Sequence, residues 1–162
     1  MKSLTVILYN IRSTYNVGAI LRTCEGLGVR KVYFAGCTPH PEKGLPHEQE
    51  KLRRQIHKTA LGAEEMVECE YVPDLAAFLR YKKAEGVSVC SLEQAENSVN
   101  LKDFCAEGEG EYMLILGEEV HGVPPEILAL SDVILEIPMA GRKESFNVSV
   151  AAGIAVWELT KD

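Results

Sequence analysis

With 162 residues, 46% of them hydrophobic, and a formal net charge of −7, the chain has the size and apolar content of one globular domain, which excludes a disordered or low-complexity tract. Met1 to Tyr9 is too short an apolar run for a cleaved leader, no later run approaches a membrane span, and the five scattered cysteines form no Cys-x-x-Cys pair; a cytoplasmic protein with reduced, mostly buried thiols, no membrane segment and no metal is expected. The charge is uneven: residues 1–62 hold ten Lys and Arg against four Asp and Glu, residues 63–162 seven against twenty, so the first segment alone can meet a polyanion.

In chain order, short β-branched runs alternate with amphipathic helical patterns, the signature of βαβ units and a mainly parallel sheet. Strands are predicted at Leu4 to Tyr9, Lys31 to Phe34, Met66 to Val72, Val87 to Ser91, Tyr112 to Leu116 and Val133 to Ile137, with helices at 17–28, 48–61, 74–85, 124–131 and 146–160. In the first helix Asn16 is the expected N-cap and Gly28 the stop, and Val17, Ile20, Leu21, Cys24 and Leu27 form the core stripe. On its other side Gly18, Ala19 and Gly26 surround Arg22, so a second element or a ligand can come close to one guanidinium. The last helix carries two apolar stripes, Val148, Ala152, Ala155 and Leu159 on one side and Val150, Ile154 and Trp157 on the other, which predicts packing between its own sheet and a second subunit.

Three segments carry candidate chemistry. Asn10 to Thr23 runs from a strand end into a helix start, where free N–H groups suit a phosphate flanked by Arg12 and Arg22. Leu114 to Pro124 is an apolar strand that ends in Gly117, followed by Glu118, Glu119, His121 and Gly122; the glycine is expected to let backbone lie against a ligand. In Ile137 to Ser149 the strand is stopped by Pro138, and Ser145 or Asn147 opens the final helix. Neither a Gly-x-x-x-x-Gly-Lys-Ser/Thr nor a Gly-x-Gly-x-x-Gly is present, so nucleoside triphosphates and dinucleotides have no motif. Taken singly, each segment is equally an ordinary cap, loop or surface charge.

Together and in this order they resemble the SPOUT superfamily of trefoil-knotted methyltransferases, specifically its SpoU/TrmH-like ribose 2′-O branch. The resemblance rests on Asn16 and Arg22 six positions apart, on Leu116-Gly117-x-Glu119-x-x-Gly122, and on Ile137-Pro138-Met139 with Ser145-x-Asn147-Val148-Ser149-Val150-Ala151. Phe146 departs from the family's usual leucine. The resemblance implies a single α/β domain over residues 1–162, with helices on both faces of the sheet and a C-terminal deep trefoil knot; a second departure is that no separate RNA-binding domain, of the kind many members carry at the N-terminus, is expected in these residues. It also implies S-adenosylmethionine bound at Leu92, Gly117, Ile137, Met139 and Ser145, a methyl transfer to a ribose 2′-hydroxyl of tRNA or rRNA, and a homodimer whose sites each draw on two chains.

By the same resemblance Arg22 is the central catalytic residue, with Asn16 holding the ribose or the arginine, Glu119 organising its loop and Asn147 bracing the site. A guanidinium with a pKa above about 12 is a poor base, so stabilising developing alkoxide charge suits Arg22 better than removing a proton. The basic stretch Lys51 to Lys58 supplies Arg53, Arg54 and Lys58 as expected phosphate contacts beside Arg12. Rival readings are a non-catalytic knotted subunit that binds RNA or cofactor for a partner protein, a base-directed methyltransferase on the same fold, and a flavodoxin-like nucleotide-binding domain.

Overall fold

The computed structural model describes residues 3–40, 44–105 and 110–161. Among them lie strands β1 (Ser3–Tyr9), β2 (Lys31–Ala35), β3 (Glu68–Val72), β4 (Ser88–Leu92), β5 (Val99–Asn100), β6 (Glu111–Leu116) and β7 (Val133–Glu136). The helices are α1 (Thr14–Gly26), α2 (Pro46–Ala60), α3 (Leu75–Ala84), α4 (Pro125–Leu128) and α5 (Val148–Thr160). The seven strands form one sheet in the order β3-β2-β1-β6-β4-β7-β5, and every ladder between them is parallel. The α/β fold expected from the alternation of strands and helices is therefore present.

Helices cover both faces of this sheet because the central strands are apolar on both. Val6, Leu8, Leu114 and Leu116 point to the side that holds Ile20 and Leu21 of α1, Ile56 of α2, and Ala152 and Val156 of α5. Ile7, Met113 and Ile115 point to the side that holds Leu75 and Leu79 of α3 and Ile127 of α4. Among the described residues no helix is long and apolar enough to cross a membrane. Two of the five cysteines, Cys24 and Cys90, are buried, and burial pushes both thiols up to about 12, with small further increments from Cys69 and Asp132 respectively. The expectation of mostly buried thiols is only half met, since Cys37 and Cys105 are exposed and Cys69 half-buried.

Several boundaries differ from the sequence reading for local reasons. Helix α1 begins at Thr14, capped by Ser13, whose hydroxyl accepts the Asn16 N–H at 3.3 Å; Asn16 is thereby inside the helix with its side chain free for another partner. Gly28 follows α1 at φ +78°, the expected stop. Strand β3 starts at Glu68 because Ala63–Glu65 coil into a short 3-10 turn and leave Met66 in solvent. Helix α4 is a single turn, and β5 is a two-residue strand with no periodic signal to announce it.

Gly18 answers the question of what approaches α1. A Cβ there would lie 2.2 Å from Thr59 Oγ1 and 2.3 Å from the Ile56 carbonyl oxygen, so the close neighbour on that side is α2 and not a ligand. Gly18→Ala is expected to force the two helices apart and destabilise the fold by roughly 1–3 kcal/mol. Urea unfolding checks this; an unchanged midpoint would mean that the helix contact is looser than the geometry describes.

Candidate active site

One open cleft lies at the carboxyl ends of β4, β6 and β7, where ligands gather in open parallel sheets. Its walls are the strand ends Leu92 to Gln94 and Glu136 to Ile137, the loop from Leu116 to Gly122, and Ser145, Phe146, Val148 and Ala151 at the entry to α5. Apolar side chains of Leu92, Leu116, Ile137 and Val148 stand beside backbone groups of strand ends. Such a slot suits a flat heterocycle held by main-chain hydrogen bonds. Of the residues expected to hold a cofactor, Leu92, Gly117, Ile137 and Ser145 line the cleft. Met139 does not line it.

Gly117 is needed for a different reason than the sequence suggested. A Cβ there would meet the backbone of Gly122 and Val123 at 2.3 to 2.6 Å. The loop folds back on itself, with Glu118 and Gly122 exchanging backbone hydrogen bonds at 3.2 and 2.9 Å. Close approach at Gly117 is thus made by the chain's own returning strand, and that return shapes the floor of the cleft.

Three of the four expected catalytic residues come together across more than a hundred residues of chain. The Asn16 amide donates from Nδ2 to Glu119 Oε1 at 2.9 Å, and Asn147 Nδ2 donates to Asn16 Oδ1 at 3.3 Å. Asn147 Oδ1 in turn accepts from the backbone N–H of Ser149 at 2.9 Å and its hydroxyl at 2.6 Å, which caps α5. The backbone N–H groups of Arg12 and Ser13 close on the Glu119 carboxylate at 3.3 and 3.4 Å. This chain of bonds sews the start of α1, the loop after β6 and the start of α5 into one edge of the cleft.

Burial pushes the Glu119 carboxyl up, but hydrogen bonds from Asn16, from its own backbone N–H and from those of Arg12 and Ser13 outweigh it and hold the group below 4.5. A carboxyl held low in the fold stabilises above its unfolded value, and that contribution is lost as pH falls through the folded value. The stability difference between the wild type and Glu119→Gln is therefore expected to stay constant across neutral pH and to shrink below about pH 4.5. Thermal melts over that range check it; a difference that already changes between pH 6 and 8, roughly, would assign the network to another titrating group.

Arg22 is not brought into this cleft. It is exposed, makes no hydrogen bond or ion pair among the described residues, and is absent from the lining. Six residues beyond Asn16 it sits about 9 Å further along the helix and about 240° around it, so it leaves α1 on a different side. Arg12, expected to be free for phosphate, pairs with Glu118 at 2.8 Å while its own side chain remains 67% exposed. On α2, Arg53, Arg54 and Lys58 are exposed, with Arg54 bonded to Glu50 at 2.9 Å. Among the described residues no group of His, Cys, Asp and Glu is placed to hold a metal ion.

The sequence reading missed Glu93 and Gln94. Glu93 accepts the Val123 N–H at 2.8 Å and the Gln94 N–H at 2.9 Å, and Gln94 Nε2 donates to the Glu144 carbonyl at 2.9 Å. Two consecutive side chains at the end of β4 therefore tie down both loops that wall the cleft. Their position just after a strand was the available signal; their partners 30 and 50 residues away were not.

Known proteins share this arrangement. A tRNA (guanosine(18)-2′-O)-methyltransferase of Thermus thermophilus is 32% identical over 155 residues, covering 96% of this chain and 73% of that protein. The structure of the Aquifex aeolicus TrmH/SpoU tRNA modifying enzyme superposes with a TM-score of 0.81 at 29% identity, over 99% of this chain and 75% of that one. An AdoMet-bound rRNA methyltransferase of Sinorhizobium meliloti gives a TM-score of 0.84 at 25% identity, covering 97% of this chain and 55% of that one, so this chain spans about half of that protein. The model of the SpoU rRNA Methylase family matches residues 3–157, from β1 through the cleft and most of α5. A match that takes in the whole sheet together with every wall of the cleft places the chain by itself: it belongs to the SpoU rRNA Methylase family.

Proposed function

We propose that this chain is an S-adenosylmethionine-dependent RNA methyltransferase that methylates a ribose 2′-hydroxyl of tRNA or rRNA, as one domain in a homodimer. The observation that carries the reading is the joining of Asn16, Glu119 and Asn147 at the edge of a cleft lined by Leu92, Gly117, Ile137 and Ser145. In the same reading the segment after β7 is threaded into the trefoil knot of the family. Placement of α5 back against α1 and β1, on the side away from α3, supports that path.

Bound in the cleft, S-adenosylmethionine supplies an electrophilic methyl group on sulfur. The chain's own residues orient and exclude. Backbone at 116–117 and 136–137 would hold the heterocycle, with Ile137 and Leu92 walling it from water. The Asn16 amide, fixed at both ends by Glu119 and Asn147, has its rotamer set before substrate arrives and presents a rigid polar group to the ribose. Arg22 neutralises charge that develops on the 2′-oxygen. Because Arg22 is exposed and lines no part of its own cleft, and the far stripe of α5 is uncovered, each cleft takes this guanidinium from the other copy in the dimer. Arg12, Arg53, Arg54 and Lys58 hold RNA phosphates.

The decisive assay incubates the protein with S-adenosylmethionine labelled on the methyl group and with bulk cellular RNA, then digests the RNA to nucleosides. Label in ribose-methylated nucleosides is the expected result. Label confined to bases, or none in any RNA, defeats the reading.

A further inference from the structure

Beside Asn16 stands a side chain with no role in the fold. Tyr15 is 50% exposed, and its hydroxyl makes no hydrogen bond among the described residues. An aromatic ring left half in water at the start of a helix contributes little to the core, and its one polar tie to the next element is a backbone one, the Tyr15 carbonyl accepting from Thr59 Oγ1 at 2.8 Å. The ring's neighbour is a cation: Lys58 Nζ lies 5.9 Å from its centroid. A single such contact on an open surface is too weak to be the reason for the ring's position.

Its surroundings supply the reason. On the cleft side, the same turn of chain gives Asn16 and the Arg12 and Ser13 N–H groups to Glu119, and the Arg12 guanidinium stands at the rim on Glu118. On the other side runs α2, where Lys51, Arg54 and Lys58 at i, i+3 and i+7 share one stripe leading away from the ring. Among the described residues Lys51 and Lys58 form no ion pair with a carboxylate, while Arg54 between them pairs with Glu50 at 2.9 Å with its side chain still 76% exposed, so a phosphate meets two unpaired cations and a third whose exposed carboxylate partner it displaces. An exposed aromatic face between a polar cleft and a line of cations is the arrangement that binds single-stranded nucleic acid, with stacking on the ring and phosphates along the cations.

We propose that Tyr15 is the platform on which the base of an unpaired nucleotide stacks, with the strand's phosphates running along the Lys51, Arg54 and Lys58 stripe. The proposal rests on the ribose-methylation reading and deepens it by naming the form of the substrate. A nucleotide inside an A-form duplex has both base faces covered by its neighbours and cannot lay one on Tyr15. A nucleotide extruded from the stack can lay its base on the ring while its sugar reaches toward Asn16, one residue further along the helix. The substrate is then a loop, bulge or end, and duplex RNA binds only through its phosphates.

The test measures binding of a fluorescein-labelled oligoadenylate, and of the same strand annealed to oligouridylate, to the full chain and to Tyr15→Phe and Tyr15→Leu. Tyr15→Leu is expected to weaken single-strand binding about tenfold or more, with Tyr15→Phe close to wild type and duplex binding little changed. Calorimetric affinity for S-adenosylmethionine and the sedimentation coefficient are expected to be the same in all three proteins. Equal single-strand binding by Tyr15→Leu overturns the proposal, as does an equal loss in Tyr15→Phe, an equal loss for the duplex, or a loss of cofactor affinity or assembly in step with RNA. A wild-type protein that binds oligoadenylate through Tyr15 but transfers no methyl group to ribose in cellular RNA leaves the stacking platform standing and defeats the methyltransferase reading instead.

Discussion

Arg22→Ala is expected to lower methyl transfer by roughly 10²–10³-fold while leaving S-adenosylmethionine affinity unchanged. The size follows from removing one preorganised positive group from a position where negative charge develops. The unchanged affinity follows from the structure, since Arg22 touches no wall of the cleft in its own chain. The same geometry makes a sharper demand. A Gly117→Val chain cannot form its own cleft, because even the first carbon of the side chain meets the Gly122 backbone at 2.3 Å. Mixed dimers of Arg22→Ala and Gly117→Val chains, each inactive alone, then contain one complete site: the cleft of the first and the guanidinium of the second. Co-expressed, differently tagged chains purified through both tags are expected to regain activity. If Arg22 served its own cleft, every mixed dimer would stay inactive, and a mixed preparation without activity refutes the shared site.

The sheet and the edge of the cleft were legible because their signals are local. Val6, Ile7 and Leu8 alternate between two cores, as Met113 to Leu116 do, and a strand apolar on both faces reads from the sequence as a parallel sheet covered by helices. The spacing of Asn16, Glu119 and Asn147 within their motifs carried over to three side chains that do meet. What failed to read depends on distant partners. Ser13, not Asn16, caps α1, because the Asn16 amide is drawn to a carboxylate 103 residues away. Arg12 reads as a free cation until Glu118 is placed beside it, and Gly117 reads as room for a ligand until the returning loop fills that room. Glu93 and Gln94 lie in no periodic pattern, and only the folded loops give them something to hold. Arg22 was assigned its role by resemblance, and no local pattern in the sequence could say that it would not line the cleft of its own chain.

Breaking the dimer is expected to cost as much activity as removing Arg22, by a different route. Val150, Ile154 and Trp157 sit at i, i+4 and i+7 on α5, exposed by 51, 39 and 63%, while Ala152, Ala155 and Val156 of the same helix are buried. An apolar stripe of this kind on the side of a core helix away from its sheet is self-complementary under a two-fold axis. In the proposed dimer, glutamates at Ile154 and Trp157 would meet their own copies across that axis and repel. In the isolated chain both positions face solvent, so the fold itself loses little. The Ile154→Glu, Trp157→Glu protein is therefore expected to sediment as a monomer, to melt cooperatively, and to bind S-adenosylmethionine in its intact cleft. It is expected to transfer methyl groups no better than Arg22→Ala, since no second copy offers its guanidinium. A monomer with wild-type activity would put Arg22 back on its own cleft; a dimer that survives both glutamates would move the interface off α5. Retained cofactor binding together with lost transfer separates these outcomes from misfolding, because in the proposed dimer the residues that shape the cleft and the one that completes it would come from different chains.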